Sequence, residues 1–179
     1  KENLFNKWIN GEVLKDYLTV SQNNRFDYNN VYINQIKDTH PPMYYFLIHT
    51  ICSFFPEEFS KWFGLSINLF FFVITQILLY LICQKIGFLP KTSLFVCLIY
   101  GFSAAAINNF IFIRMYAMLT ALYLLLTYLY INQISDKNNL PRLLAIFLTI
   151  FIGSLTQYHF LVFAFILTLV FIYITYKDK

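Results

Sequence analysis

The chain has 179 residues, of which 59% are hydrophobic and 12% charged, with a formal net charge of +4. A soluble domain carries about 25% charged residues, so this composition, with a mean hydropathy of +0.58, excludes an ordinary water-soluble domain and defines an integral membrane protein. The positive balance comes from lysines flanking apolar runs rather than from a basic patch interleaved with stacking aromatics, so no nucleic-acid partner is expected.

Residues 1–40 hold much of the charge. The sequence opens without Met or a signal pattern, so it reads as a fragment beginning inside a loop. Leu4, Phe5, Trp8 and Ile9 lie at helical spacing and predict a short interfacial helix that Gly11 breaks. Tyr17–Val20 reads as a short extended piece before a turn at Ser21–Asn24. Pro41 and Pro42 cannot continue a preceding helix, but proline fits the first turn of a new one. Thr39 or Asp38 would cap that turn, and the apolar run 42–55 would form its body, ending at Pro56. Crossing a bilayer takes about 20 residues, so this helix is expected to lie in the interface. Residues 1–57 therefore read as an extracytoplasmic loop with interfacial helices, and 58–179 as a transmembrane region.

In the transmembrane region, 59–83 is the first full span and 84–92 a short loop. The apolar stretch 93–133 is about twice the length of one crossing and holds Arg114 near its centre. Arginine at mid-bilayer costs roughly 2.5–3.5 kcal/mol on insertion scales. Dividing the stretch into spans 93–108 and 114–133 brings Arg114 to a surface. Residues 142–176 divide likewise into 142–156 and 160–176, with Gly153 and Thr156–His159 marking a hairpin turn. The expected fold is thus an all-α integral membrane protein with about five transmembrane helices. Lys85, Lys91, Lys137, Arg142, Lys177 and Lys179 then share one face, which the positive-inside rule makes cytoplasmic. Residues 1–57, the Asn108–Arg114 turn and the Gln157–His159 turn fall on the outer face.

The polar residues with chemical potential gather on that face. A helix start offers unpaired N–H groups to an anion, and His40 stands beside it with Asp38 two residues earlier. The plain alternative is a capped helix with a solvated histidine. Arg114 suits a phosphate, which guanidinium pairs bidentately, although an interfacial arginine beside a belt tyrosine, Tyr116, is the simpler reading of the spacing. Gln157, Tyr158 and His159 read as turn residues, His49 as structural, and Glu12, Asp16 and Asp27 as solvated loop charges. Cys52, Cys83 and Cys97 lack metal-ligand spacing and read as packing residues. There is no phosphate-binding glycine loop, Ser–His–Asp order or CxxC pair.

Asp38-Thr39-His40-Pro41-Pro42-Met43-Tyr44-Tyr45 resembles the Asp-x-His-Pro-Pro motif of the glycosyltransferase family 39 type of GT-C enzymes, the protein O-mannosyltransferase and aminoarabinose-transferase superfamily. Thr75–Tyr80 is similar to the end of the following transmembrane helix in these proteins, and Arg114–Leu119 resembles their Arg-x-(Tyr or Asp)-Ala-Leu-Leu helix start. Trp8–Val20 and Arg25–Asp38 look like the first outer loop of bacterial members. The resemblance implies transfer of a sugar, with inversion, from a polyprenyl-phosphate donor to a protein, lipid or glycan acceptor on the outer face. It also implies a main catalytic Asp upstream of this sequence, an assisting Asp38, and substrate contacts from His40, Arg114 and Tyr116. Around Ser60–Leu65, where members often carry an Arg, the sequence offers Lys61. No cofactor is assigned, though the phosphate chemistry admits a divalent cation. A transporter or flippase of lipid-linked sugars is the alternative; it calls for an internal repeat, which is not seen, and for polar groups at mid-membrane, which are few.

Overall fold

A computed structural model describes residues 8, 10–36, 38–135 and 139–177. Among them the chain is helical, with one 3₁₀ turn and no strand. The predicted helix through Leu4, Phe5 and Ile9 lies outside the described residues.

The first helix, α1, runs Gly11–Leu18. Gly11 opens this helix, and Asn10 caps it: its side chain accepts from Glu12 N at 3.2 Å. This corrects the extended piece expected at Tyr17–Val20, since Tyr17 and Leu18 are helical. A 3₁₀ turn at Gln22–Asn24 leads to α2, Tyr28–Gln35, whose cap Asp27 accepts from Asn30 N at 3.1 Å. The short apolar helix α3 spans Met43–Phe54. The turn before α2 is pinned to the end of α3. Arg25 Nε donates to Ser53 O at 2.8 Å, and Phe26 N donates to Ser53 Oγ at 3.0 Å. Phe26 holds a left-handed φ of 56°, a conformation that costs a non-glycine residue about 1–2 kcal/mol. The Ser53 bond and an edge-on contact with the Phe54 ring hold it there.

The remaining helices are α4 (Lys61–Lys85), α5 (Pro90–Gly101), α6 (Ala104–Ile111), α7 (Tyr116–Ser135), α8 (Leu140–Thr156) and α9 (His159–Lys177). Helix α7 is central, packing on α4, α8 and α9, and Ala117, Met118, Leu119, Ala121, Leu122, Leu126 and Tyr130 on it are buried. The outer faces carry large exposed apolar side chains, such as Phe70, Val73 and Ile77 on α4 and Leu161, Phe165 and Leu169 on α9. Asn68, Thr75, Ser93, Gln133, Thr149 and Thr156 are buried inside. Apolar outside with small polar groups within suits a lipid solvent. Thr149 and Thr156 satisfy themselves by donating to carbonyls one turn back, Thr149 to Ala145 O at 2.7 Å and Thr156 to Ile152 O at 2.8 Å. Gly153 lets α9 press against α8: a Cβ there would overlap the ring of Phe160, itself fully buried.

Among the described residues three helices, α4, α7 and α9, are long and apolar enough to cross a membrane, and α5 with α6 makes a fourth if the pair counts as one span. The predicted single span 93–108 is in fact broken, with a bend of 59° between α5 and α6. The break has a local cause. Ser103 accepts from Ala106 N at 3.2 Å and so starts a new helix, while Gly101 leaves room for the Gln76 amide of α4. Helix α8 has 17 residues and is among the shorter apolar helices. The up-and-down order places Lys85, Lys91, Arg142 and Lys177 at one end of the bundle, and Lys61, Arg114, Asp38, Glu57 and Glu58 at the other.

Candidate functional site

The loop before α3 does not cap it. The helix begins behind Pro42 with no side-chain cap, which corrects the capping role expected of Asp38 or Thr39. The Asp38 carboxylate turns back on its neighbours instead. Its Oδ1 accepts from Thr39 N at 2.6 Å, from Thr39 Oγ1 at 3.3 Å, and from His40 Nδ1 at 3.2 Å. A carboxylate only accepts, so the contact places the imidazole proton on Nδ1, and Nε2 makes no hydrogen bond to the described residues. The His40 hydrogen bond holds the Asp38 pKa below its ordinary value; desolvation opposes it, and the two bonds from Thr39 add to the lowering. The pair is half open to solvent, with side-chain exposures of 26% for His40 and 42% for Asp38.

Arg114 arrives from the other half of the chain. It lies in the turn between α6 and α7, exposed, with its guanidinium over the Phe112 ring at 5.2 Å. The turn is held by Asn68 of α4, which is completely buried. Asn68 Nδ2 donates to Phe110 O and to Phe112 O, each at 2.9 Å. Phe110 is in the last turn of α6, where carbonyls have no partner within the helix, so the amide closes the helix end. Asn68 Oδ1 accepts from Tyr44 OH of α3 at 3.0 Å. One side chain thereby joins α3, α4 and the Arg114 turn. Gly64 adds a close approach, since a Cβ there would overlap Ile113.

Both pieces act electrostatically on Tyr45. Burial raises the pKa of its hydroxyl first; the Asp38 carboxylate raises it further, Arg114 lowers it, and Tyr116 raises it. Tyr45 thus lies within electrostatic reach of three of the four residues picked from the sequence, and His40 is bonded to one of them. The arrangement brings a carboxylate–imidazole pair and a guanidinium within electrostatic reach of one phenol at one end of the bundle. It can hold an anion, through Arg114 and a protonated His40, and can move a proton at His40 Nε2.

Tyr45 and Asn68 were not singled out from the sequence. The signal for Asn68 was present: an amide inside an apolar span must find partners. Gln157, Tyr158 and His159 form the tip between α8 and α9 and share no hydrogen bond with the site among the described residues. His49 lies elsewhere on α3, edge-on to Tyr28, with Nε2 buried and without a partner among the described residues. Cys52, Cys83 and Cys97 are free thiols, and no group of three or more His, Cys, Asp or Glu among the described residues could hold a metal.

Fold and site together define an all-α protein with three or four helices able to cross a membrane and a polar cluster at one end of the bundle. No protein-family model matches the chain, nor does any curated protein or solved structure.

Proposed function

We propose that the protein is a membrane glycosyltransferase of the GT-C, family 39 type, moving a sugar from a polyprenyl-phosphate donor to a protein, lipid or glycan acceptor on the extracytoplasmic side. The observation that carries the reading is that two stretches some 70 residues apart in sequence, Asp38–His40 and Arg114–Tyr116, lie at one end of the bundle within electrostatic reach of Tyr45. In the reaction, an acceptor hydroxyl oxygen attacks the anomeric carbon, and the bond from that carbon to the phosphate oxygen breaks. The electron pair leaves with the phosphate, and the hydroxyl proton goes to a carboxylate base. Arg114 and protonated His40 would stabilise the charge growing on the leaving phosphate. Asp38 would assist by orienting His40 through Nδ1, and Tyr116 would contact the substrate. The end carrying Lys85, Lys91, Arg142 and Lys177 would face the cytoplasm.

The test is sugar transfer by membranes containing the protein or its variants, with labelled polyprenyl-phosphate sugars as donors. Asp38→Asn, His40→Ala and Arg114→Ala should each insert normally and lose transfer on the order of a hundredfold. Transfer at the parental rate in all three would overturn the assignment.

One observation favours the alternative, a transporter or flippase of lipid-linked sugars. Gln76, midway along α4, has a buried Oε1 without a partner among the described residues, opposite the break between α5 and α6. Broken helices with polar groups at mid-membrane line the paths of transporters. Vesicles that move a lipid-linked sugar across the bilayer without consuming it would select this reading.

A further inference from the structure

Beside Tyr116 a cavity of about 410 Å³ opens, lined by Asn108, Asn109, Ile111, Phe112 and Tyr116. None of these five residues is charged. What they offer is two amides, a phenol and aromatic surface, with the Arg114 guanidinium at the rim over Phe112. Asn109 is held, its Nδ2 donating to Thr120 Oγ1 at 3.3 Å, while Thr120 donates to Tyr116 O at 2.9 Å. The Asn108 side chain is exposed and makes no hydrogen bond to the described residues. Its volume falls within the ~300–1,000 Å³ usual for small-molecule sites.

We infer that this cavity is a carbohydrate subsite, taking the neutral ring of a phosphate-linked sugar while Arg114 meets the phosphate. The inference rests on the function proposed above and adds the location of the sugar. Neutral amides pair the hydroxyl groups of a sugar as both donor and acceptor, and aromatic faces accept its apolar C–H face. A hydrocarbon chain is a poor occupant, because it would cover the Asn108 side-chain amide, which has no hydrogen bond to the described residues, and leave it unpaired. The groove between α3 and α4 shows the contrast: its cavity of about 230 Å³ is lined by Leu47, Ile51, Ile67, Phe70 and Phe71, with only Thr50 and Ser66 polar.

The experiment is equilibrium binding to the purified protein in lipid nanodiscs, with three sets of probes: a short-chain prenyl phosphate, the same prenyl phosphate carrying glucose, mannose or galactose, and the uncharged octyl glycosides of these sugars. At least one sugar-bearing probe should bind tighter than its sugar-free counterpart, and Asn108→Ala should remove most of that gain, about tenfold. Binding of the bare prenyl phosphate should stay at the parental level. Asn108 has no internal bond to lose, so thermal unfolding should be unchanged; Asn109→Ala serves as the second variant. If no sugar-bearing probe loses affinity in either variant, the subsite is overturned, whatever the bare prenyl phosphate does. If the bare prenyl phosphate fails to bind while an octyl glycoside binds and is lost in Asn108→Ala, the subsite stands and the polyprenyl-phosphate reading falls.

Discussion

Replacing Asn68 by Leu would test whether one buried amide holds the site together. Leucine is close in volume, so the change removes hydrogen bonds without opening a cavity. The residue makes three of them, accepting from Tyr44 OH and donating to Phe110 O and Phe112 O. Interhelical hydrogen bonds in membrane proteins average about 0.6 kcal/mol, and a buried group left unpaired costs about 1–3 kcal/mol. Phe112 O keeps a partner in Arg114 N at 2.7 Å, so the stranded groups are the Tyr44 hydroxyl and Phe110 O. Asn68→Leu should therefore destabilise the bundle by about 2–4 kcal/mol. Tyr44→Phe, which removes one bond, should cost about 1 kcal/mol or less. In the double variant Tyr44→Phe should add no cost and should recover part of the loss, because it removes the hydroxyl that Asn68→Leu leaves unpaired. Reversible unfolding in mixed micelles of the parent, the two single variants and the double variant gives the cycle. Fully additive costs would refute the idea that Asn68 joins α3 to the Arg114 turn.

Gly153→Ala should cost about 1–3 kcal/mol in the same unfolding assay, since its Cβ meets the buried Phe160 ring and neither helix has room to yield. Burial lowers the pKa of His49 from 6.5, although Asp27 and a hydrogen bond to the Asn24 backbone oppose the shift. The unfolded state then binds more protons than the folded one, so stability from this group is full above pH 6.5 and lost as the pH falls through the folded pKa. Hydrogen exchange of α2 and α3 should accelerate on going from pH 7 to pH 5 after correction for intrinsic rates, and His49→Gln should flatten that response. Cysteine placed at exposed Asn29 should react with an impermeant reagent in intact cells, and cysteine at exposed Lys91 should not; the reverse pattern would invert the orientation.

The all-helical character was legible because the apolar runs are long and the polar ones short, and the start of α3 behind Pro41–Pro42 follows from what proline permits. The number of crossings was not, because length alone cannot show that Gly101–Ser103 ends one helix and starts another. Pattern also misled at Tyr17–Leu18, which belong to a helix that Asn10 caps. For the site, the residue types were visible one at a time. Their company was not: the packing of α3 on α4 and the grip of Asn68 on a turn more than 40 positions away create it, and neither leaves a periodic trace. The expected cap at Asp38 failed because a nearer set of donors, Thr39 and His40, claimed the carboxylate first.

Tyr44 and Tyr45 are adjacent on α3 and do opposite work, one locked to Asn68 in the interior and the other facing Asp38 and Arg114. Helix α3 consequently cannot roll to adjust Tyr45 without tearing Tyr44 from the amide that also holds the Arg114 turn. The backbone behaves as a vice with fixed jaws, and the adjustable parts are the half-open side chains of Asp38 and His40 and the exposed arm of Arg114. Side chains of that kind reorient in picoseconds to nanoseconds, orders of magnitude faster than a helix or domain moves. A molecule reaching this end of the bundle would meet a surface that adapts by rotamer and keeps its frame.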